Sequence, residues 1–412
     1  MPGWRRTLTI TAFAQVLSIL GFSFVVPFLP LYLQKLGVHG VSSVTLWAAI
    51  MSGGTALGMT IASPIWGVLA DRHGRKIMVV RAMFSAALII GLMAFVQNVY
   101  QLLILRTVQG MFTGTVSAAQ ALVASQSPRE RMGFSLGVMQ TSVFVGNAMG
   151  PVIGGLVAEQ LGFRHSFFIS GLILMTGGVV VSLFVHEEMV AVEHRPARGG
   201  FFKGLGEALH APMLLSMIAA IFTVQFAVTV IYPVLPQFVQ YLQGPGGHAA
   251  AATGLILTSV GAAGALSSLL TGWLSDHMDY RTILIVASLA AAALEVPQYF
   301  VNATWQLLIL RVGVGLALGA MLPSASAMVA SLVPAERRGT AYGLMASANA
   351  MGFAAGPLTA AGVVAAINIR AVFPTAAVLL VVIAIWVAAM VRIPDHMESD
   401  TASVKGASEL PA

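Results

Sequence analysis

One carboxylate and two guanidinium groups stand inside long apolar runs of this chain. Glu295 lies in AAALEVPQYF, and Arg106 and Arg311 each close a copy of the hexapeptide QLLILR, at 101–106 and 306–311. An acid held at such depth can take up and release a proton, and a neighbouring cation favours its ionised form. A lone cation there costs at least about 2.5–3.5 kcal/mol on insertion scales, so each arginine needs protein or a wet cavity beside it. If the turn between these runs is centred near Ala303, Glu295 and Arg311 stand equally far from it, one on each side. At about 1.5 Å per residue both then lie on the order of 10 Å inside the face that carries the turn. The spacing predicts a buried Glu295–Arg311 pair, each partner lowering the other's insertion cost. The matching place in the first half is Ile89–Ile90, so Arg106 has no such acid; Gln15, Gln140 and Asn147 are the neutral side chains expected to solvate it.

Other chemistries find no residues. The chain has no cysteine, which excludes disulfides, thiolate metal sites and cysteine nucleophiles. Its nine histidines are scattered without metal-ligand spacing, and the apolar runs hold no paired carboxylates and no nucleophile–base set. The expectation is a protein that is not an enzyme, with no metal and no cofactor.

The elements that must hold these groups follow from composition. Charged residues make up 9% of the chain and apolar residues 58%, against about 25% charged in soluble domains. Apolar runs repeatedly reach the roughly 20 residues that a helix needs to cross a bilayer, without the strict alternation of barrel strands. The reading is an all-α polytopic membrane protein of twelve transmembrane helices, the first expected over 8–34, the fourth over 99–126 and the seventh over 212–241. The start, MPGWRRTLTITAFAQV, has the basic-then-apolar look of a signal peptide, but the run continues to about Leu36 and carries no small-residue cleavage site, so it reads as the first span. With both termini placed in the cytoplasm, sixteen of the 21 Lys and Arg fall inside and only Lys35, Arg164 and Arg370 fall outside. That asymmetry sets orientation, and the net charge of +6 is a topology signal rather than a nucleic-acid patch.

The hexapeptide is one point in a longer register. Shifted by 205 or 206 residues, VVPFLPLYLQ (25–34) lies over IYPVLPQFVQ (231–240), SPRERMGFSLG over VPAERRGTAYG, and Gly150-Pro151 over Gly356-Pro357. Several matches in order at one offset indicate a duplicated six-span unit. The expected organisation is a bundle over 1–186, a cytoplasmic linker over 187–211, a second bundle over 212–394 and a cytoplasmic tail over 395–412.

Three local patterns sharpen this. After the second span comes GVLADRHGRK, which gives Gly67, Asp71, Arg72, Gly74, Arg75 and Lys76; its second-half copy keeps Gly272 and Asp276 but has Asp279 and Tyr280 where Gly74 and Arg75 stand. The fourth span carries LILRTVQG, with Arg106, Gln109 and Gly110. The fifth carries GNAMGPVIGG, in which Gly146, Gly150 and Gly154 recur every four residues and line one helix face, with Pro151 and Gly155 alongside. Pro151 lacks a backbone donor and can bend the span, although ordinary tight packing needs the same glycines.

Together these patterns resemble the major facilitator superfamily over nearly the whole chain, and within it the drug–proton antiporters of bacterial multidrug efflux. The resemblance implies two pseudo-symmetric six-helix bundles that rock about a central cavity. It implies that Asp71 pairs with local basic residues and faces the eleventh span as a conformational latch. It also implies that the fourth-span arginine influences proton coupling; the bland alternative is that Arg106 only ties two helices through backbone carbonyls. The fifth-span glycine element accompanies exporters in this family. One departure stands out: the first, fourth, seventh and tenth spans contain no acid. Proton-site candidates therefore reduce to Glu295, Asp71 and Glu159, with Arg106 and Arg311 as charged partners. The expected cavity lining is neutral: Gln15, Ser18, Gln109, Thr113, Gln140, Asn147, Gln225, Thr229 and Tyr232. The function this implies is export of small amphiphiles in exchange for protons, by a monomer in the bacterial inner membrane that binds no nucleic acid. A narrow metabolite or sugar transporter of the same fold is the alternative, and a non-transporting membrane sensor a remote one.

Overall fold

The computed structural model describes residues 3–112, 114–128, 131–187, 212–244, 246–274, 278–332 and 338–390; within helices it describes only the backbone at 63–64, 67–68, 70–73, 133, 212–214, 272–273, 330–332, 338–344 and 346. All regular structure among these residues is helical. In the first half the helices are α1 (Gly3–Val25), α2 (Leu29–Lys35), α3 (Val41–His73), α4 (Arg75–Met93), α5 (Val99–Phe112), α6 (Thr115–Gln126), α7 (Met132–Leu161) and α8 (Phe163–Phe184). In the second they are α9 (Pro212–Thr229), α10 (Leu235–Gln243), α11 (Ala249–Leu274), α12 (Tyr280–Gln298), α13 (Thr304–Leu332), α14 (Arg338–Ala366) and α15 (Val372–Met390). Among the described residues, ten spans are long and apolar enough to cross a membrane as single segments, Gly3–Lys35 among them. The fourth and seventh spans are each built from two shorter helices, which completes twelve.

The interruptions have local causes. Gly114 adopts φ +120°, open to glycine but strained for other residues, and divides the expected fourth span into α5 and α6. Prolines at 27 and 30 tighten the first span into a 3-10 turn over Val26–Phe28 before α2. Pro233 and Pro236, one repeat later, accompany the turn between α9 and α10. The long helices are apolar around most of their circumference, and large side chains such as Phe13, Leu57, Leu269 and Ile385 are exposed, as contact with lipid allows.

Packing repeats with the sequence offset. In the first half α1 packs on α7 and α8, α3 on α5, and α4 on α8; in the second, α9 packs on α14 and α15, α11 on α13, and α12 on α15. Glycines set the closeness of these seams. A Cβ on Gly146 would sit 2.7 Å from Ile19 Cβ, and one on Gly150 2.5 Å from Ser23 Cβ. One repeat on, Gly352 meets Gln225 and Gly356 meets Thr229, the positions equivalent to Ile19 and Ser23. Three of the four apolar cores lie within single halves, while the one around Phe28, Leu31, Ala158, Ile231, Leu235 and Phe238 crosses between them.

Candidate functional site

The α12–α13 hairpin brings its two buried ions together. Arg311 Nη1 donates to Glu295 Oε1 at 3.0 Å, with Glu295 2% and Arg311 7% exposed. Glu295 Oε2 and Arg311 Nε have no hydrogen-bond partner among the described residues, so the carboxylate keeps one free oxygen. Tyr232, in the bend between α9 and α10, lies within electrostatic reach of Arg311 and is 45% exposed.

Arg106 is equally buried, at 5% exposure, but its partner differs from the three expected. Its Nη1 donates to Gln109 Oε1 at 2.7 Å, three residues along the same helix, where neighbouring side chains on one face meet. Gln140 is exposed, Asn147 Oδ1 accepts from Ser23 Oγ at 2.8 Å, and the amide of Gln15 has no partner among the described residues. A cavity of about 10 Å³, room for about one water, lies against Arg106 and Gln109 and is closed by Gly21, Phe22 and Val25 of α1.

The halves join at the end that carries the α2–α3 and α7–α8 turns. Gln34 Nε2 donates to Gln240 Oε1 at 3.0 Å. These two residues are 206 apart, the repeat offset itself. A residue touches its own repeat mate only on the axis relating the halves, so this bond marks that axis. Gln237 Nε2 donates to Thr45 Oγ1 at 3.0 Å, and Thr258 Oγ1 donates to Ala148 O at 2.6 Å. His248 Nδ1 lies 3.1 Å from Glu159 Oε1, while Ala251 N–H reaches Glu159 Oε2 at 3.4 Å. The glycine element of α7 serves both directions. Gly146, Gly150 and Gly154 face α1, whereas a Cβ on Gly155 would come 2.5 Å from Ala250 O of α11, and Pro151 O packs on Gly254. Above this joint a groove of about 590 Å³ is lined by Lys35, Glu159, Arg164 and His165.

Of the expected cavity residues, Gln140, Asn147 and Tyr232 are exposed and Gln225 is half-buried. Gln15, Ser18 and Gln109 are instead buried inside the first half, because the face of α1 that bears Gln15 and Ser18 is packed within that bundle. Thr229 is buried too: its hydroxyl donates to Gly352 O at 2.9 Å and so serves the α9–α14 seam. Thr113 lies outside the described residues.

The model of the Major Facilitator Superfamily matches residues 11–294 and again 219–411. The chain belongs to that superfamily. The chain is 36% identical over 371 residues to the multidrug resistance protein MdtG of Salmonella typhimurium, covering 90% of this chain and 91% of that one; the MdtG of Salmonella dublin matches to the same extent. The fold superposes on a bacterial homologue of the human lysosomal transporter Spinster, in an inward-facing occupied conformation, with TM-score 0.77 and 15% identity over 94% of this chain and 96% of that one. It also superposes on the human organic anion transporter MFSD10, with TM-score 0.68 and 17% identity over 94% and 100%.

The superfamily signature after the second span adds a residue that sequence reading missed. At Gly67, Asp71 and Arg72 only the helical backbone is described. Arg75 and Lys76 are described, and both tie α4 into its own half: Arg75 Nη1 donates to Ala121 O at 3.0 Å and Lys76 Nζ to Ser182 O at 2.8 Å. Glu187 caps the first turn of α4, its carboxylate accepting from Arg75 N–H at 2.9 Å and Lys76 N–H at 2.8 Å. Gly74, at φ +93°, leaves room for it: a Cβ there would meet Glu187 Oε2 at 2.8 Å. Glu187 is the first residue of the expected linker, yet it is anchored on the first bundle. Its only sequence signal was an acid following the sixth apolar run.

Proposed function

We propose that this superfamily member is a secondary active transporter that exports small amphiphilic compounds by alternating access, in exchange for protons. It sits in the bacterial inner membrane as a monomer, both termini in the cytoplasm, with a bundle over 1–186 and another over 212–394. The observation that carries the reading is the joint between the halves. Its hydrogen bonds run from the turn-bearing end to the middle of α7, while Gln140, nearer the opposite end of that helix, is exposed. The positive-inside asymmetry makes the joined end the outer face, so this conformation opens toward the cytoplasm. The likeness to multidrug resistance proteins supports export of varied compounds. The described lining, Gln140, Asn147 and Gln225, is neutral and suits neutral, weakly charged or anionic amphiphiles.

In this account Glu295 carries the proton. Its carboxylate accepts H⁺ at the free Oε2 and becomes a neutral acid, and Arg311 then loses the charge that held it. Arg311 lies within electrostatic reach of Tyr232 in the seventh-span bend, so the change in charge is felt beside α9, whose seam with α14 is kept close by Gly352 and Gly356. Asp71, with Arg72, Arg75 and Lys76, holds the cytoplasmic end shut in the opposite conformation. The test uses inside-out vesicles energised by a pH gradient and a panel of amphiphiles. Accumulation that collapses when the gradient is dissipated is expected; gradient-independent equilibration, or uptake in whole cells instead, would overturn the reading.

A further inference from the structure

The outer joint consists of two seams, and they are chemically unequal. Where α7 meets α11, Glu159 of the first half contacts His248 and the Ala251 N–H of the second. The equivalent places in the seam between α3 and α14, one repeat away, are Ala365, Ser42 and Thr45, all neutral. Thr45 there accepts from Gln237, a bond that no change of pH alters within the range a membrane meets. Of these equivalent positions, only those of the α7–α11 seam carry groups that can titrate. Closeness differs in the same sense. Gly155 and Gly254 let the backbones of α7 and α11 meet, whereas their repeat mates are Ala361 and Ala48.

We infer that the Glu159–His248 bridge is a proton-sensitive latch that holds the outer face closed, a regulatory element resting on the alternating-access reading above. The outer groove of about 590 Å³ opens directly onto Glu159, so protons of the outer medium reach the bridge without crossing the protein. Lys35 of α2 and Arg164 and His165 of α8 line the same groove. His165 Nδ1 is engaged with Leu161 O at 2.5 Å in its own half, and Arg164 Nη2 with Val96 O at 3.4 Å. His248, 79% exposed in its side chain, is the histidine that reaches across. The sign follows from the two charges. With His248 protonated and Glu159 ionised the halves attract, and closure is favoured. Raising the pH discharges the imidazole and removes the attraction; lowering it far enough to protonate Glu159 also removes it.

The absence of native cysteine makes the test direct. Spin labels are placed on Ser43→Cys at the start of α3 and on Ile367→Cys beyond α14, both exposed and neither part of the bridge. Pulsed electron resonance then gives the outer distance in proteoliposomes. From about pH 5.5 to about pH 8 the ratio of closed to open molecules is expected to fall about two- to five-fold, the range for a partly exposed ion pair. Glu159→Gln and His248→Asn should each flatten that response, while His165→Asn should leave it intact. A wild-type distance distribution that ignores pH, or a response that survives His248→Asn and disappears with His165→Asn, overturns the latch. Should Glu159→Gln fold poorly, the two histidine variants decide alone. Transport measured in the same proteoliposomes separates the two readings. Transport with pH-insensitive distances removes only the latch, and pH-sensitive distances without transport remove only the export reading.

Discussion

Arg106 and Arg311 occupy equivalent positions in the two halves, yet the first is held by the neutral Gln109 and the second by Glu295. The position of Gln109 is taken in the second half by buried Val314, and that of Glu295 in the first by the buried isoleucines 89 and 90. Duplication supplied two equivalent cations, and each half then satisfied its own by a different route. A neutral amide solvates a guanidinium without offering a place for a proton. A carboxylate does both, so the proposed function places proton chemistry in the second half and leaves Arg106 of the first as a structural anchor. Two glycines of the α1–α7 seam, by contrast, are kept in the α9–α14 seam, Gly146 as Gly352 and Gly150 as Gly356, and permit the same close backbone approach in both halves.

Breaking the ionic partner should cost most. Glu295→Ala leaves Arg311 buried and uncompensated, and a loss of about 3–5 kcal/mol is expected; thermal unfolding in detergent reads it, and adding Arg311→Met should recover most of the loss. Gln109→Ala strips Arg106 of a charge-assisted hydrogen bond, for about 1.5–3 kcal/mol, while Gln109→Glu should stay close to wild type and give the first half an ion pair of its own. If Gln109→Ala proves as damaging as Glu295→Ala, the two arginines are not held by different means. Gly154→Ala drives a methyl into the Phe24 backbone of α1 and should cost about 1–3 kcal/mol; its repeat mate is already an alanine, Ala360, so the same change cannot be made there. Gln34→Ala removes one exposed bond on the axis, worth about 0.5–1.5 kcal/mol, and its effect should appear as a shift toward outer-open distances more than as lost stability.

Much of this was legible because it depends on chain order and spacing. The 205–206 offset announced the duplicated bundles, and equal distances from the turn at Ala303 were enough to pair Glu295 with Arg311. Placement around a helix was harder, because long helices such as α1 are apolar around most of their circumference and carry no broad polar face to fix their rotation. Gln15 and Ser18 consequently point into the first bundle instead of the central cavity, and Arg106 takes its partner from its own helix. Glu187 escaped notice because its role depends on the end of α8 arriving beside the N-terminus of α4, a tertiary coincidence. The breaks at Gly114 and around Pro233 lay in plain view as residue types, although an unbroken apolar run masked them.

The most direct test of the division between the halves is substrate-triggered proton release from inside-out vesicles, recorded for Glu295→Gln beside Gln109→Ala. The account predicts that release disappears in Glu295→Gln and persists in Gln109→Ala wherever that variant folds. Release that continues unchanged in Glu295→Gln would contradict it.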